Sequence, residues 1–461
     1  MTKMKVMIHV YSTGFIEDGQ TLFLSESFMR NRKIPEGRLI TLRYGSFIRQ
    51  VQAFPVRSSG ELRIHQQLAR DLGLHHGTQL RLKYHPGTLT LRIGPLIGVL
   101  VSRIDPDDAD KRFGAMTAYC KELTDACRSQ GAFVYFFTPG DIEHGKDRIE
   151  GWSYNGSWNK AYFPLADVIH NRLTSRKLEN KPSVQYFVKE VKSHYDASVF
   201  NEKYLSKNEV FQALTRESGL LKYLPESYAF KNYRILKTMC EKYRSVFLKP
   251  ARGSLGKGII RIMKQADGSY ICHFTNVNGT KREQFASLSQ VFCAISGKMK
   301  TMRYQIQQGL QLIEIDGRPV DFRVLVQKNR HGRWSVTSIV GRIAGSQQFV
   351  SNLARGGSLC TVSEALSKSN LNSHQRGSVY PRLKASALEI AAGIEAQIPY
   401  HFGELGIDLA VEPDGSVWLL EVNSKPSKND NAPLSSQRIR PSVKRVIQYS
   451  LHLSGFRGEE S

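Results

Sequence analysis

Leu80, Leu82 and Tyr84 alternate with Arg81, Lys83 and His85, the two-residue period of a strand with one wet face. Similar strand-length runs stand at 38–45 (RLITLRYG), 47–54 (FIRQVQAF) and 88–94 (TLTLRIG), with a helical period at 65–74 (HQQLARDLGL). Residues 1–94 therefore predict a small β-rich module, and no catalytic constellation accompanies it. From Pro95 the pattern changes to a buried-type strand (95–104, PLIGVLVSRI), a helix over 113–131 and a second buried strand over 132–138 (AFVYFFT). That order predicts a right-handed, parallel βαβ unit. Cys120 and Cys127, seven apart, fall on one helix face and predict packing against the sheet. After a Trp-, Tyr-, Asn- and Gly-rich stretch at 151–164, a strand at 166–173 and a helix at 181–195 complete a Rossmann-like half-domain over 95–200. A third domain over 201–454 opens with a helix at 206–220, N-capped by Ser206, and a strand at 245–251. The tail after Ser454 is expected to fray.

Charge sharpens this picture. The 461 residues carry 65 Lys and Arg against 41 Asp and Glu, a formal charge of +24, so the partners are anionic. Between 222 and 264 there are eleven Lys and Arg but only Glu226 and Glu241. No helix-turn-helix, zinc finger or aromatic RNA-binding signature accompanies the basic residues, which argues against nucleic acid. The six cysteines show no metal-binding spacing and predict reduced thiols. No apolar run approaches the roughly 18–20 residues that span a bilayer, and the N-terminus lacks the apolar region of a signal peptide. The expectation is a cytoplasmic protein without a membrane span.

Two segments carry chemistry. Residues 247–260 (FLKPARGSLGKGII) read as a strand, a loop and a second strand. Gly253, Ser254, Gly256 and Gly258 would let backbone N–H groups approach phosphate oxygens, with Lys249 and Lys257 supplying charge. A Walker loop is excluded, because no Ser or Thr follows Lys257 and a strand follows instead of a helix. A basic hairpin with glycine turns is the alternative. Residues 406–423 (GIDLAVEPDGSVWLLEVN) read as two strands around Pro413-Asp414. A two-residue loop pairs 411 with 416 and hence 408 with 419, which puts Leu419, Glu421 and Asn423 on the face of Asp408. Two carboxylates so placed repel unless neutralised, and hard oxygen donors favour Mg²⁺ or Mn²⁺. On that argument, loss of one acid should cost the ligand-free protein little. Ion pairing with nearby arginines is the alternative.

In order and spacing, Lys249-Pro250, the 253–258 loop and the Asp408…Glu421-x-Asn423 set resemble the ATP-grasp superfamily. The resemblance implies an α+β, ATP-grasp fold with the Rossmann-like half-domain and the β-rich module before it. It implies that Lys249 binds ATP phosphates, that the loop closes as a lid and that Asp408, Glu421 and Asn423 hold two Mg²⁺ ions. Lys207 resembles the family's first phosphate-contacting lysine. In IQQGLQLIE (306–314), the main chain at Gln307, Gln308 and Leu310 would pair with adenine and Glu314 with the ribose; a side-chain contact from Gln307 is not expected, because the family often has an acid there. Arg342 would stabilise charge on the transferred phosphoryl group, while Arg323 and Arg355 would position an acidic substrate; a structural salt bridge is the alternative for Arg323 and Arg355. With its GPLIGVL strand, LPES and EVNSKP, the chain also resembles the YheC/YheD group of endospore coat-associated ATP-grasp proteins. This implies an ATP- and Mg²⁺-dependent carboxylate–amine ligase associated with the endospore coat, acting on an acidic small molecule or peptide and meeting other coat proteins. A coat-assembly protein that keeps a nucleotide site without catalysis is the alternative.

Overall fold

The computed structural model describes residues 5–12, 20–105, 107–108, 110–250, 258–276, 279–345, 356–428 and 439–456. Strands β1 Lys5–Tyr11, β2 Thr21–Ser25, β3 Leu39–Tyr44, β4 Phe47–Val56, β5 Glu61–His65, β6 Gln79–His85 and β7 Thr90–Gly94 close into a barrel in the order β1-β5-β2-β4-β3-β7-β6. The helix expected at 65–74 is Gln66–Leu72, and His65 both ends β5 and caps it. Closure removes the edges that short strands would otherwise expose.

A second sheet contains β8 Leu96–Leu100, β9 Phe133–Phe137, β10 Arg148–Tyr154, β11 Trp158–Pro164, β12 Val168–Asn171 and β13 Ser198–Phe200, ordered β11-β10-β9-β8-β12-β13. β8 runs parallel to β9 through the helix Thr117–Gln130, as the βαβ pattern requires, and parallel to β12. Cys120 and Cys127 are buried beneath that helix. The aromatic stretch near 151–164, not read as strands, forms the antiparallel β10–β11 pair.

One hydrophobic core runs from the barrel (Val6, Leu42, Ile93) into this sheet (Leu96, Tyr135, Phe137, Phe163). Arg92 pairs with Asp167 at 3.1 Å across the same junction. Residue 94 thus divides the topology but not the packing. On the other sheet face lie Thr117–Gln130 and the helix Pro441–Leu453. The expected fraying after Ser454 is corrected for two residues. Phe456 is buried, with Arg92 5.2 Å from its ring centroid, and Lys83 donates to the Gly455 carbonyl at 3.1 Å.

Two further sheets form the remainder. The first holds β14 Ser227–Phe230, β15 Ser245–Pro250, β16 Ile260–Lys264, β17 Tyr270–Asn276, β18 Gly279–Phe285 and β19 Tyr304–Gln308, ordered β14-β19-β15-β16-β17-β18. Helices Tyr233–Lys242 and Leu288–Thr301 cover one of its faces. The second holds β20 Glu314–Ile315, β21 Arg318–Lys328, β22 Trp334–Ile343, β23 Ser358–Cys360, β24 Glu404–Val411 and β25 Val417–Asn423, with β23-β22-β21-β24-β25 as its path and β20 paired to β21. The long helix Arg376–Gln397 packs on it through Leu383, Ile390 and Ile394. The opposite faces of the two sheets carry the candidate site.

Candidate nucleotide and metal site

Strand alternation decides which β15 residues face the site. Val246, Leu248 and Pro250 are buried, so Phe247 and Lys249 project from the other face. The Lys249 ammonium donates to Gln307 Oε1, and Gln307 Nε2 donates to Ser227 Oγ at 2.9 Å. Burial and the nearby Lys207 charge lower the Lys249 pKa to about 7, against a raising influence from Glu421. Lys207 is the first residue of the helix Lys207–Leu214, and the Ser206 hydroxyl caps it by accepting from Glu209 N–H at 3.2 Å. The Lys207 ammonium lies 3.9 Å from Glu421 Oε2. Two lysines from separate elements thus meet the acidic strand.

The β24–β25 hairpin departs from the expected register. Its loop is five residues, 412–416, closed by Glu412 N–H to Ser416 O at 3.0 Å and Gly415 N–H to Glu412 O at 2.8 Å, with Gly415 at φ +84°. Val411 therefore pairs with Val417 instead of 416. The register slips again between Asp408 and Leu409, where Leu420 is the extra residue, so Leu409 opposes Leu419 and Asp408 opposes Glu421. A bulge reverses facing parity. Leu419 consequently joins the core, correcting its expected place beside Asp408, while Glu421 and Asn423 stay on the Asp408 face.

Asp408 is not a bare carboxylate. Arg323, its cross-strand partner on β21, binds it through both Nε and Nη2, the latter at 2.9 Å from Oδ2. Arg342 Nη2 lies 3.1 Å from the same Oδ2, and Arg342 Nε donates to Asp321 Oδ1 at 2.6 Å. Burial would raise the Asp408 pKa, but Arg323 and Arg342 outweigh it and hold the value below that of an ordinary aspartate. Burial likewise opposes the Arg342 charge, while Asp321 and Asp408 more than restore it. The ion-pair alternative for the acidic residues is thus realised at Asp408, by Arg323 and Arg342. Asp321 was not singled out from sequence, although its spacing of two from Arg323 on one strand was the available signal.

The hinge backbone needs a correction. Gln307 lies inside β19 between Ser227 and Phe247, and Gln308 N–H donates to Glu226 O at 2.8 Å, so these backbone groups serve the sheet. The Gln307 side chain is the acceptor for Lys249. Leu310 is buried, and Glu314 is exposed on β20. Gly258 has φ +72° and donates to Thr275 O at 3.2 Å. Gly253, Ser254, Gly256, Lys257 and Arg355 lie outside the described residues.

As a metal site, Asp408, Glu421 and Asn423 form an all-oxygen set suited to Mg²⁺ or Mn²⁺. Asp408 oxygens are shared with guanidinium groups, whereas half-buried Glu421 has, among the described residues, only the Lys207 ammonium at 3.9 Å as an ion-pair partner. Among the described residues no cluster of three or more His, Cys, Asp and Glu forms a metal cage, so an ion here would draw on the amide, water and a ligand's phosphates.

A family model described as YheC/D like ATP-grasp matches residues 196–453. The chain is 27% identical over 391 residues to endospore coat-associated protein YheD of Bacillus subtilis (strain 168), covering 84% of this chain and 85% of that protein. It is 23% identical over 337 residues to endospore coat-associated protein YheC of the same organism, covering 69% and 88%. Among solved structures, VanG D-Ala:D-Ser ligase from Enterococcus faecalis aligns with a TM-score of 0.46 at 10% identity, over 78% of this chain and 99% of that one.

Proposed function

The chain belongs to the YheC/D-like ATP-grasp family, and on that premise we propose that it activates a carboxylate with Mg-ATP and joins it to an amine through an acyl phosphate. The observation that carries this reading is the meeting of Lys207 and Lys249 with Glu421 and Asp408 between two sheets. Cations from one side suit a triphosphate, and oxygen donors from the other suit its counter-ion.

Lys249 and Lys207 bind phosphate oxygens, and the substrate carboxylate attacks the terminal phosphorus as ADP leaves. Arg342 faces the charge that develops on the transferred group, and Asp321 and Asp408 hold its guanidinium in place. Arg323 fixes Asp408 and stands beside Gly406 and Pro426, where an acidic substrate would lie. An amine then attacks the acyl carbon and phosphate leaves. Asp408, Glu421 and Asn423 would hold Mg²⁺, which when bound neutralises phosphate charge. The work of the chain is positioning and electrostatic stabilisation, as phosphoryl transfer requires. Leu310 and Glu314 serve the base and ribose. The names of the two Bacillus relatives place those proteins at the endospore coat, and we extend that setting to the acidic molecule or peptide used here.

The test is incubation with Mg-ATP and pools of amino acids, short peptides and cell-wall fragments, following ADP and phosphate. The reading expects release that requires an added carboxylate and disappears in Lys249→Ala. Nucleotide binding with no carboxylate-dependent turnover would favour the assembly role.

A further inference from the structure

Across the polar face of the β14–β19 sheet, register aligns one residue from each of five neighbouring strands: Gln307, Phe247, Arg261, His273 and Arg282. The other cations beside the candidate site have acceptors: Lys249 has Gln307, and Arg323 and Arg342 have Asp408 and Asp321. Arg261 differs. Among the described residues its Nε, shut off from solvent, has no hydrogen-bond partner, and its guanidinium forms no ion pair. Its guanidinium carbon stands 5.7 Å from the centroid of the Phe247 ring. Glu314 is the acid whose field reaches it, opposing the effect of burial on its charge. A buried charged donor left unmade is costly, so its retention points to an acceptor or aromatic surface that arrives with a ligand.

The place of Arg261 says which part of the ligand that is. It lies level with Phe247, two residues along β15 from Lys249 and so away from the phosphate end. Phe247 is the aromatic surface on this face next to the 308–314 hinge. A guanidinium is planar, donates only, and stacks on aromatic rings. Resting on the ATP-site reading above, we infer that Arg261 is a nucleoside contact, holding the base and ribose that lie over Phe247 and leaving the phosphates to Lys249 and Lys207.

The experiment compares binding of ATP, ADP, adenosine and inorganic tripolyphosphate to the full chain and to Arg261→Leu and Arg261→Lys, with ligand-free thermal midpoints as the fold control. Arg261→Leu should weaken ATP, ADP and adenosine by a common factor, roughly fivefold to thirtyfold, and leave tripolyphosphate unchanged. Arg261→Lys should recover part of the loss. Losses that grow with phosphate number and extend to tripolyphosphate would overturn the assignment and make Arg261 a phosphate ligand. Unchanged nucleoside affinity in a folded variant would also overturn it. Failure of the unaltered chain to bind any nucleotide would bring down the ATP-site reading itself, a result distinct from either.

Discussion

On β21 and β24 the buried acids carry their counter-ions with them, since Asp321 and Asp408 are clasped by arginines from neighbouring strands. On β15 and β16 the cations do not: Lys249 has a neutral amide, and Arg261 has an aromatic ring and no acid within ion-pairing distance among the described residues. The first face is electrostatically closed before any ligand arrives. The second is open, and the most economical way to close it is an anion. Acid removal should therefore be felt in folding, and cation removal in binding.

The largest expected effect is on the closed face. Asp408→Asn leaves the Arg323 guanidinium without its acid and Arg342 with Asp321 alone, and should destabilise the ligand-free protein by about 3–5 kcal/mol, measured by urea denaturation. This reverses the expectation from sequence, where two facing carboxylates with no cation between them would have made the loss harmless. A ligand-free midpoint equal to wild type would dissolve the contrast between the two faces.

On the open face, Lys249→Met should lower Mg-ATP affinity by roughly ten- to a hundredfold and leave the ligand-free fold as stable or more so. The pH dependence follows from the Lys249 pKa of about 7, below its unfolded value near 10.5. Below pH 7 the ammonium is charged in both states, and folding bears the full cost of burying it. Between pH 7 and about 10.5 the folded protein sheds the proton first, so stability contributed by this residue rises with pH. Denaturation at pH 7 and 9 should show that rise in wild type and its reduction in Lys249→Met. An anion seated beside Lys249 raises its pKa again, so nucleotide binding at pH 8 should take up a fraction of a proton. Calorimetry in buffers of different ionisation enthalpy reads this directly, and proton release would contradict it.

The smallest effect on folding is expected at Glu421, half-buried and 3.9 Å from Lys207. Glu421→Gln should change ligand-free stability by less than about 1 kcal/mol while reducing the stabilisation conferred by Mg-ATP. Comparing melts with and without Mg-ATP separates the two quantities, and a retained Mg-ATP shift would remove Glu421 from the proposed metal set.

Short-range pattern was enough for the βαβ order of 95–138, the Ser206 cap, the strand ending at Lys249-Pro250 and the acidic character of 408–423, because strand period, helix period and capping depend on residues a few positions apart. The bulge at Leu420 was not legible: inserting one residue against a partner strand is settled by how Leu409 and Leu419 fill the core, and it reverses facing for everything beyond. Nor was the clasp of Asp408, whose two arginine partners come from positions as far as 85 residues away in the chain. The same holds for the core shared by the barrel and the β8–β13 sheet, and for Phe456 held under Arg92. Amino-acid identity determined which charges exist; tertiary structure alone decided which are neutralised, because a charge pair requires two strands to be brought into register and local sequence specifies only one of them.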